Sequence, residues 1–125
     1  WTALLLASEY GNIDVVRLLL DRGADIEAED HHLWKALHKA SDSGNIDVVE
    51  LLLDRGADIE AETSTGQSPL DRASFAGNTD VVKLLLDRGA DIEATTTTGE
   101  SPLYEASRSG NTDVVKLLLD RGARI

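Results

Sequence analysis

The sequence has no cysteine, no methionine, only two prolines and only five aromatic residues, and its acidic side chains outnumber its basic ones by about two to one. Without cysteine there is no disulfide framework and no thiol chemistry, a composition suited to a reducing compartment. Lys plus Arg number 12 against 23 Asp plus Glu, a formal net charge of -11. A chain so charged repels a phosphate backbone, which argues against a nucleic-acid partner. The longest apolar runs, such as VVRLLL, are far too short to cross a bilayer, and the first residues carry no signal-peptide pattern. These absences predict a soluble, intracellular protein that does not contact a membrane. The 125 residues suffice for one domain or for a short stack of small units. A chain that opens on Trp1 rather than methionine is also what a trimmed fragment or an engineered protein would look like.

What the sequence has in abundance is repetition. Gly11, Gly44, Gly77 and Gly110 are each 33 residues apart, and so are Gly23, Gly56, Gly89 and Gly122. Cut at one phase, the single domain 1–125 falls into units 1–29, 30–62, 63–95 and 96–125 with no linker. Within each unit, NIDVVRLLLDRG and its copies place apolar side chains at helical spacing, from a polar start to a glycine suited to a left-handed cap. A shorter helix precedes it: SPLDRASFAG and SPLYEASRSG begin with Ser before Pro, a good N-cap and first helical residue. Between units, GADIEA and a Thr- and Gly-rich tip read as an extended segment and turn.

SPLDRA, SPLYEA and the following G…VVKLLLDRGADIEA, in a 33-residue period over the whole chain, resemble the ankyrin repeat family, whose signature is Thr-Pro-Leu-His-x-Ala. The resemblance implies an all-α solenoid of four helix-turn-helix units with projecting hairpin-like loops, and a concave face that grips protein partners. Leu4, Leu37, Leu70 and Leu103, with Ala7, Ala40, Ala73 and Ala106, give helix one a lean inner face, whereas Val-Val and Leu-Leu-Leu give helix two bulk, so the stack is expected to curve. No unit can bury its own apolar face, so stability should come from the interfaces. Neither end unit has an evident polar cap, which predicts sticky ends: a monomer able to stack end to end, or a piece of a longer array.

The units differ on one side only. Ser68–Ile92 and Ser101–Ile125 match at 20 of 25 positions, and four of the five mismatches lie on helix one. The variable helix-two column, Arg17, Glu50, Lys83 and Lys116, stays charged, as a solvated back does. The candidate contact residues are therefore Trp1, Tyr10, Trp34, Phe75 and Tyr104, which comprise every aromatic, together with His31 and His32, Asp42, Gln67, Asp71, Glu100 and Arg108. Large aromatics anchor interfaces at ~2 kcal/mol or more each, although an aliphatic repeat core would also push them outward. Glu9, Glu29, Asp42, Asp71 and Glu100 would favour a protein or peptide partner with a neutral-to-basic surface.

Unit two breaks the pattern: DHHLWKAL stands where the others read TSTGQSPL and TTTGESPL. Leu33 replaces the turn glycine, a cost of roughly 1–2 kcal/mol if the backbone is kept. The expectation is a reshaped turn with Trp34, His31, His32 and Leu33 forming an exposed knob. A metal site is not expected, since the adjacent imidazoles of His31 and His32 should diverge and no second cluster completes a ligand set. His38 falls where the family has a structural histidine. No catalytic triad, phosphate loop or enclosed carboxylate pair is visible, so neither enzymatic activity nor a cofactor is expected. The Thr95–Thr98 run reads as a solvated tip before it reads as a phosphorylation site. Two further readings stay open: a scaffold without a dedicated partner, such as a consensus-like design, and capture of a small ligand by the aromatics. Internal identity and the missing Cys and Met fit the scaffold, while the drifted Leu33, Lys35 and Ala36 count against a strict design.

Overall fold

The computed structural model describes all 125 residues, as eight helices in four pairs with no strand. The first helices are α1 (Ala3–Glu9), α3 (Ala36–Ser43), α5 (Pro69–Ala76) and α7 (Pro102–Ser109), and the second are α2 (Ile13–Asp21), α4 (Ile46–Asp54), α6 (Thr79–Asp87) and α8 (Thr112–Asp120). Ser68 and Ser101 cap α5 and α7 through their hydroxyls, with proline following in each first turn. Gly44, Gly77 and Gly110, at φ 77–78°, end α3, α5 and α7 in the left-handed conformation.

One contiguous core of Leu, Val and Ala runs through the stack. The lean inner face of the first helices is observed: all four leucines and all four alanines of that face are buried. First helices pack against one another more closely than second helices do, which bends the stack toward the helix-one side. Successive repeats are also tied by polar rungs. The side-chain amides of Asn45, Asn78 and Asn111 each donate to two carbonyls at the C-terminal end of the preceding first helix, at 2.8–3.1 Å. On the back, Arg55, Arg88 and Arg121 reach Asp21, Asp54 and Asp87 of the previous repeat at 2.8–3.0 Å, half-exposed pairs worth ~0–1 kcal/mol each. At the loops, Glu27 and Glu60 accept the backbone N–H of Asp58 and Asp91 at 2.8–2.9 Å.

The ends leave apolar surface uncovered. Val15 is 46% exposed whereas Val48, Val81 and Val114, in the same column, are 1% exposed. Leu6, Leu18 and, at the other end, Leu119 are exposed as well.

The turn in repeat two is not reshaped. Leu33 adopts φ 63°, close to Gly66 at 78° and Gly99 at 80°. Its hydrogen bonds repeat those of the other tips: Asp30 N–H to Trp34 O and Leu33 N–H to Asp30 O match Thr63 to Gln67 and Gly66 to Thr63. The reason is Asp30, which stands in the column of Thr63 and Thr96. Its Oδ1 accepts the N–H groups of His32 and Trp34 at 2.9 and 3.0 Å, where Thr63 Oγ1 accepts one from Gln67 at 3.2 Å. A carboxylate acceptor makes the stronger bonds and offsets the strain of a left-handed leucine.

Candidate binding surface on the helix-one face

Five cation–aromatic contacts run along the first helices as one ladder. Lys39 Nζ lies 3.9 Å from the Trp1 ring centre and 4.8 Å from that of Trp34. Arg72 Cζ lies 4.9 Å from Trp34 and 5.2 Å from Phe75, and Arg108 Cζ 4.9 Å from Phe75. Each such contact is worth ~0.5–1 kcal/mol when exposed and more when desolvated. Every cation also has a carboxylate: Lys39 pairs with Asp30 at 3.0 Å, Arg72 with Asp42 at 2.7 Å and Arg108 with Glu105 at 3.0 Å. Gln67 Oε1 accepts from Arg72 at 3.3 Å.

The ladder gathers Trp1, Trp34, Asp42, Gln67, Phe75 and Arg108 and fixes them against one another. Trp34 is half-buried between two cations and 6.0 Å from the His38 ring, so it forms a rung and not the expected projecting knob. Tyr10 and Tyr104 stay outside the ladder, 69% and 48% exposed. The exposed His31 and His32 rings do not diverge; their centroids are 4.2 Å apart. Glu100 accepts from the Thr96 hydroxyl at 3.2 Å. No three His, Asp or Glu side chains converge to hold a metal ion.

Asp71 is the expectation that fails. It is 1% exposed and caps its own helix, Oδ2 accepting the Ser68 N–H at 2.9 Å and the Ser68 hydroxyl at 3.1 Å. Its column, Leu5, His38, Asp71 and Tyr104, is buried wherever a following repeat covers it, so Asp71 cannot touch a partner. His38 shows what the column does. Its Nδ1 accepts the Lys35 N–H at 2.9 Å, the bond that Asp71 Oδ2 makes to Ser68 one repeat on, and its Nε2–H donates to Ala61 O, at the end of its own repeat, and to Gln67 O of the next, at 2.9 and 3.1 Å. Burial, outweighing the two carbonyls that favour the cation, lowers its pKa to about 4, with Lys35 and Arg72 helping. Asp71 moves the other way: burial, aided by the Glu105 charge and opposed by Ser68 and Arg72, raises it to about 6. For Asp30, burial acts upward, but the Trp34 and His32 N–H groups and the Lys39 ammonium outweigh it and hold its carboxyl near 2.

Lys39, Arg72 and Glu105 were not among the candidate residues, although the first two are cations of the ladder and the third is buried at 0% exposure beneath its last. A readable signal was the column they share, Leu6, Lys39, Arg72 and Glu105, which runs from apolar through two basic residues to acidic.

The open cavities are shallow and polar. One of about 290 Å³ lies between the second and third interrepeat loops, lined by Glu60, Glu62 and Asp91 among others. No helix is long and apolar enough to cross a membrane. A family model described as ankyrin repeats (3 copies) matches residues 1–63, 32–96 and 60–125, which together span the chain. A search of curated proteins returned no match.

Proposed function

The chain belongs to the ankyrin repeat family, whose members are generally protein–protein interaction modules, and we propose that it binds a folded protein or extended peptide on its helix-one face and loop tips. The observation that carries this reading is the ladder: a row of aromatic rings pre-set by fixed cations, on the one side where repeats differ. Rings already held in place lose little side-chain freedom on binding. Tyr10, Tyr104, His31 and His32 border that row as exposed contacts. Since the ladder's cations are matched by carboxylates and the chain carries a net charge of -11, a neutral-to-basic partner surface fits it best. An interface of about 1,600 Å² in total is the scale to expect. The chain acts without a cofactor and outside the membrane, as an intracellular monomer whose uncovered ends stack on other copies at high concentration.

The test compares capture of partners by the parent with capture by a Trp34→Ala, Phe75→Ala, Tyr104→Ala triple variant of equal helicity. Loss of a specific partner in the variant supports the reading, and an identical capture profile refutes it. The second reading, a scaffold without a dedicated partner, is favoured by the fact that the ladder satisfies its own rings internally. It predicts no specific partner for either version.

A further inference from the structure

The junctions inside the stack are closed by one recurring set of contacts, and the two end faces carry the two halves of that set, unjoined. Asn45, Asn78 and Asn111 reach back to the last carbonyls of the preceding first helix. Their side chains lie so close over Gly11, Gly44 and Gly77 that a Cβ there would come within 2.7–2.9 Å of the amide oxygen. Asn12, the first of that column, makes no capping bond to its own helix and stands exposed. At the other end, a Cβ on Gly110 would meet nothing within 4 Å. The amide rungs stop at Asn111, so the carbonyls of Ser107 and Arg108 receive none.

The charges and the apolar surface divide the same way. Arg55, Arg88 and Arg121 each take an aspartate of the repeat before, which leaves Arg22 over at one end and Asp120 at the other, both exposed. Val15 and Leu6 are 46% and 49% exposed where Val48 and Lys39, one repeat on, are 1% and 7%. Tyr104 is 48% exposed where Asp71, one repeat back, is 1%. One face thus lacks a predecessor and the other a follower. The sequences match as well: NTDVVKLLLDRGA of repeat four is identical to the segment that repeat three presents to its follower, and NIDVVRLLLDRGA of repeat one differs from that of repeat two only at the solvated Arg17.

The two faces complement each other and not themselves. Two faces of the first kind would offer Arg22 no Asp120 and Asn12 no open Gly110. Pairing of unlike faces runs head to tail and does not close after two copies. We propose that the occupant of each end face is the opposite end face of a second copy of this chain, with Asn12 seated over Gly110, Arg22 paired with Asp120, and Val15 and Leu18 closed against α8. This gives a register and a direction to the end stacking of the proposed function, on which it rests. A net charge of -11 on each copy opposes the joint and confines it to high concentration.

Sedimentation velocity over a wide concentration range tests the register. The parent should grow past two copies. Asn12→Ala should raise the concentration for half-association about two- to tenfold, as loss of one amide rung predicts, and leave the melting temperature of the single copy unchanged. Val15→Thr with Leu18→Lys blocks one face, and Leu119→Lys blocks the other. Each blocked protein alone should stay a single copy where the parent associates, and their mixture should form a species of two copies and stop there. A blocked protein that still pairs with itself overturns the proposal in favour of like-face dimers. Association that Asn12→Ala leaves unchanged, or a mixture of blocked proteins that does not associate, overturns the register without touching self-association. A parent that stays a single copy throughout overturns both the register and the end stacking, and assigns the end faces to further repeats of the same kind in a longer chain.

Discussion

Replacing His38 with asparagine should remove about 3 kcal/mol of stability at neutral pH and, more tellingly, give the protein a response to acid that the parent lacks. The buried ring gives up bonds to Ala61 O and Gln67 O; orphaned groups of this kind cost about 1–3 kcal/mol, and the vacated ring volume adds to that. The acid response follows from two groups of opposite sign. His38 is depressed from 6.5 to about 4, so its contribution is present above pH 6.5 and is lost as pH falls toward 4. At about 1.4 kcal/mol per unit this amounts to about 3 kcal/mol. Asp71 is raised from 3.8 to about 6, so its contribution is full below 3.8 and is lost as pH rises toward 6, again about 3 kcal/mol. In the parent the two nearly cancel, and stability should be almost flat between pH 4.5 and 6.5. Urea unfolding across that range separates them. His38→Asn should become more stable on acidification, and Asp71→Asn less stable. Two variants with the same sign of pH dependence would refute the reasoning, whatever their absolute stabilities.

Leu33→Gly should raise the melting temperature by a few degrees, because relief of about 1–2 kcal/mol of left-handed strain exceeds the roughly 0.5–1 kcal/mol of added chain entropy. A lower melting temperature would mean that the leucine side chain contributes more than its backbone costs. Sedimentation over a wide concentration range should show the parent self-associating, and Val15→Thr with Leu18→Lys should reduce it, since those side chains are 46% and 54% exposed at one end. Equal association in parent and variant would place the sticky surface elsewhere.

The fold was legible because it rests on what repeats: the glycines 33 residues apart, the Ser-Pro starts, and the Leu and Ala columns that pack on their own copies. The site was only half legible, because it rests on what does not repeat. The aromatics could be placed on the front face, but the ladder needs a cation from the neighbouring repeat over each ring, as Arg72 lies over Trp34, and that offset is invisible within any one unit. Asp71 was misjudged for a related reason. Comparison of units three and four marked it as variable, opposite Tyr104, yet burial in that column depends on having a following repeat, which Asp71 has and Tyr104 lacks in this chain. Leu33 taught the converse lesson: its strain was read correctly, and its remedy, the carboxylate of Asp30 three positions earlier, was not.

The ladder makes the order of the repeats matter in a chain whose backs are almost interchangeable. Recombination within near-identical coding segments tends to delete or duplicate whole units, and here the helix-two surfaces would accept such a splice. The front would not. A chain joining repeat two directly to repeat four would bring Glu105, not Arg72, up to the face of Trp34, presenting a carboxylate to a ring whose face repels anions. The front face thus marks this junction against that deletion, which the backs alone would let pass.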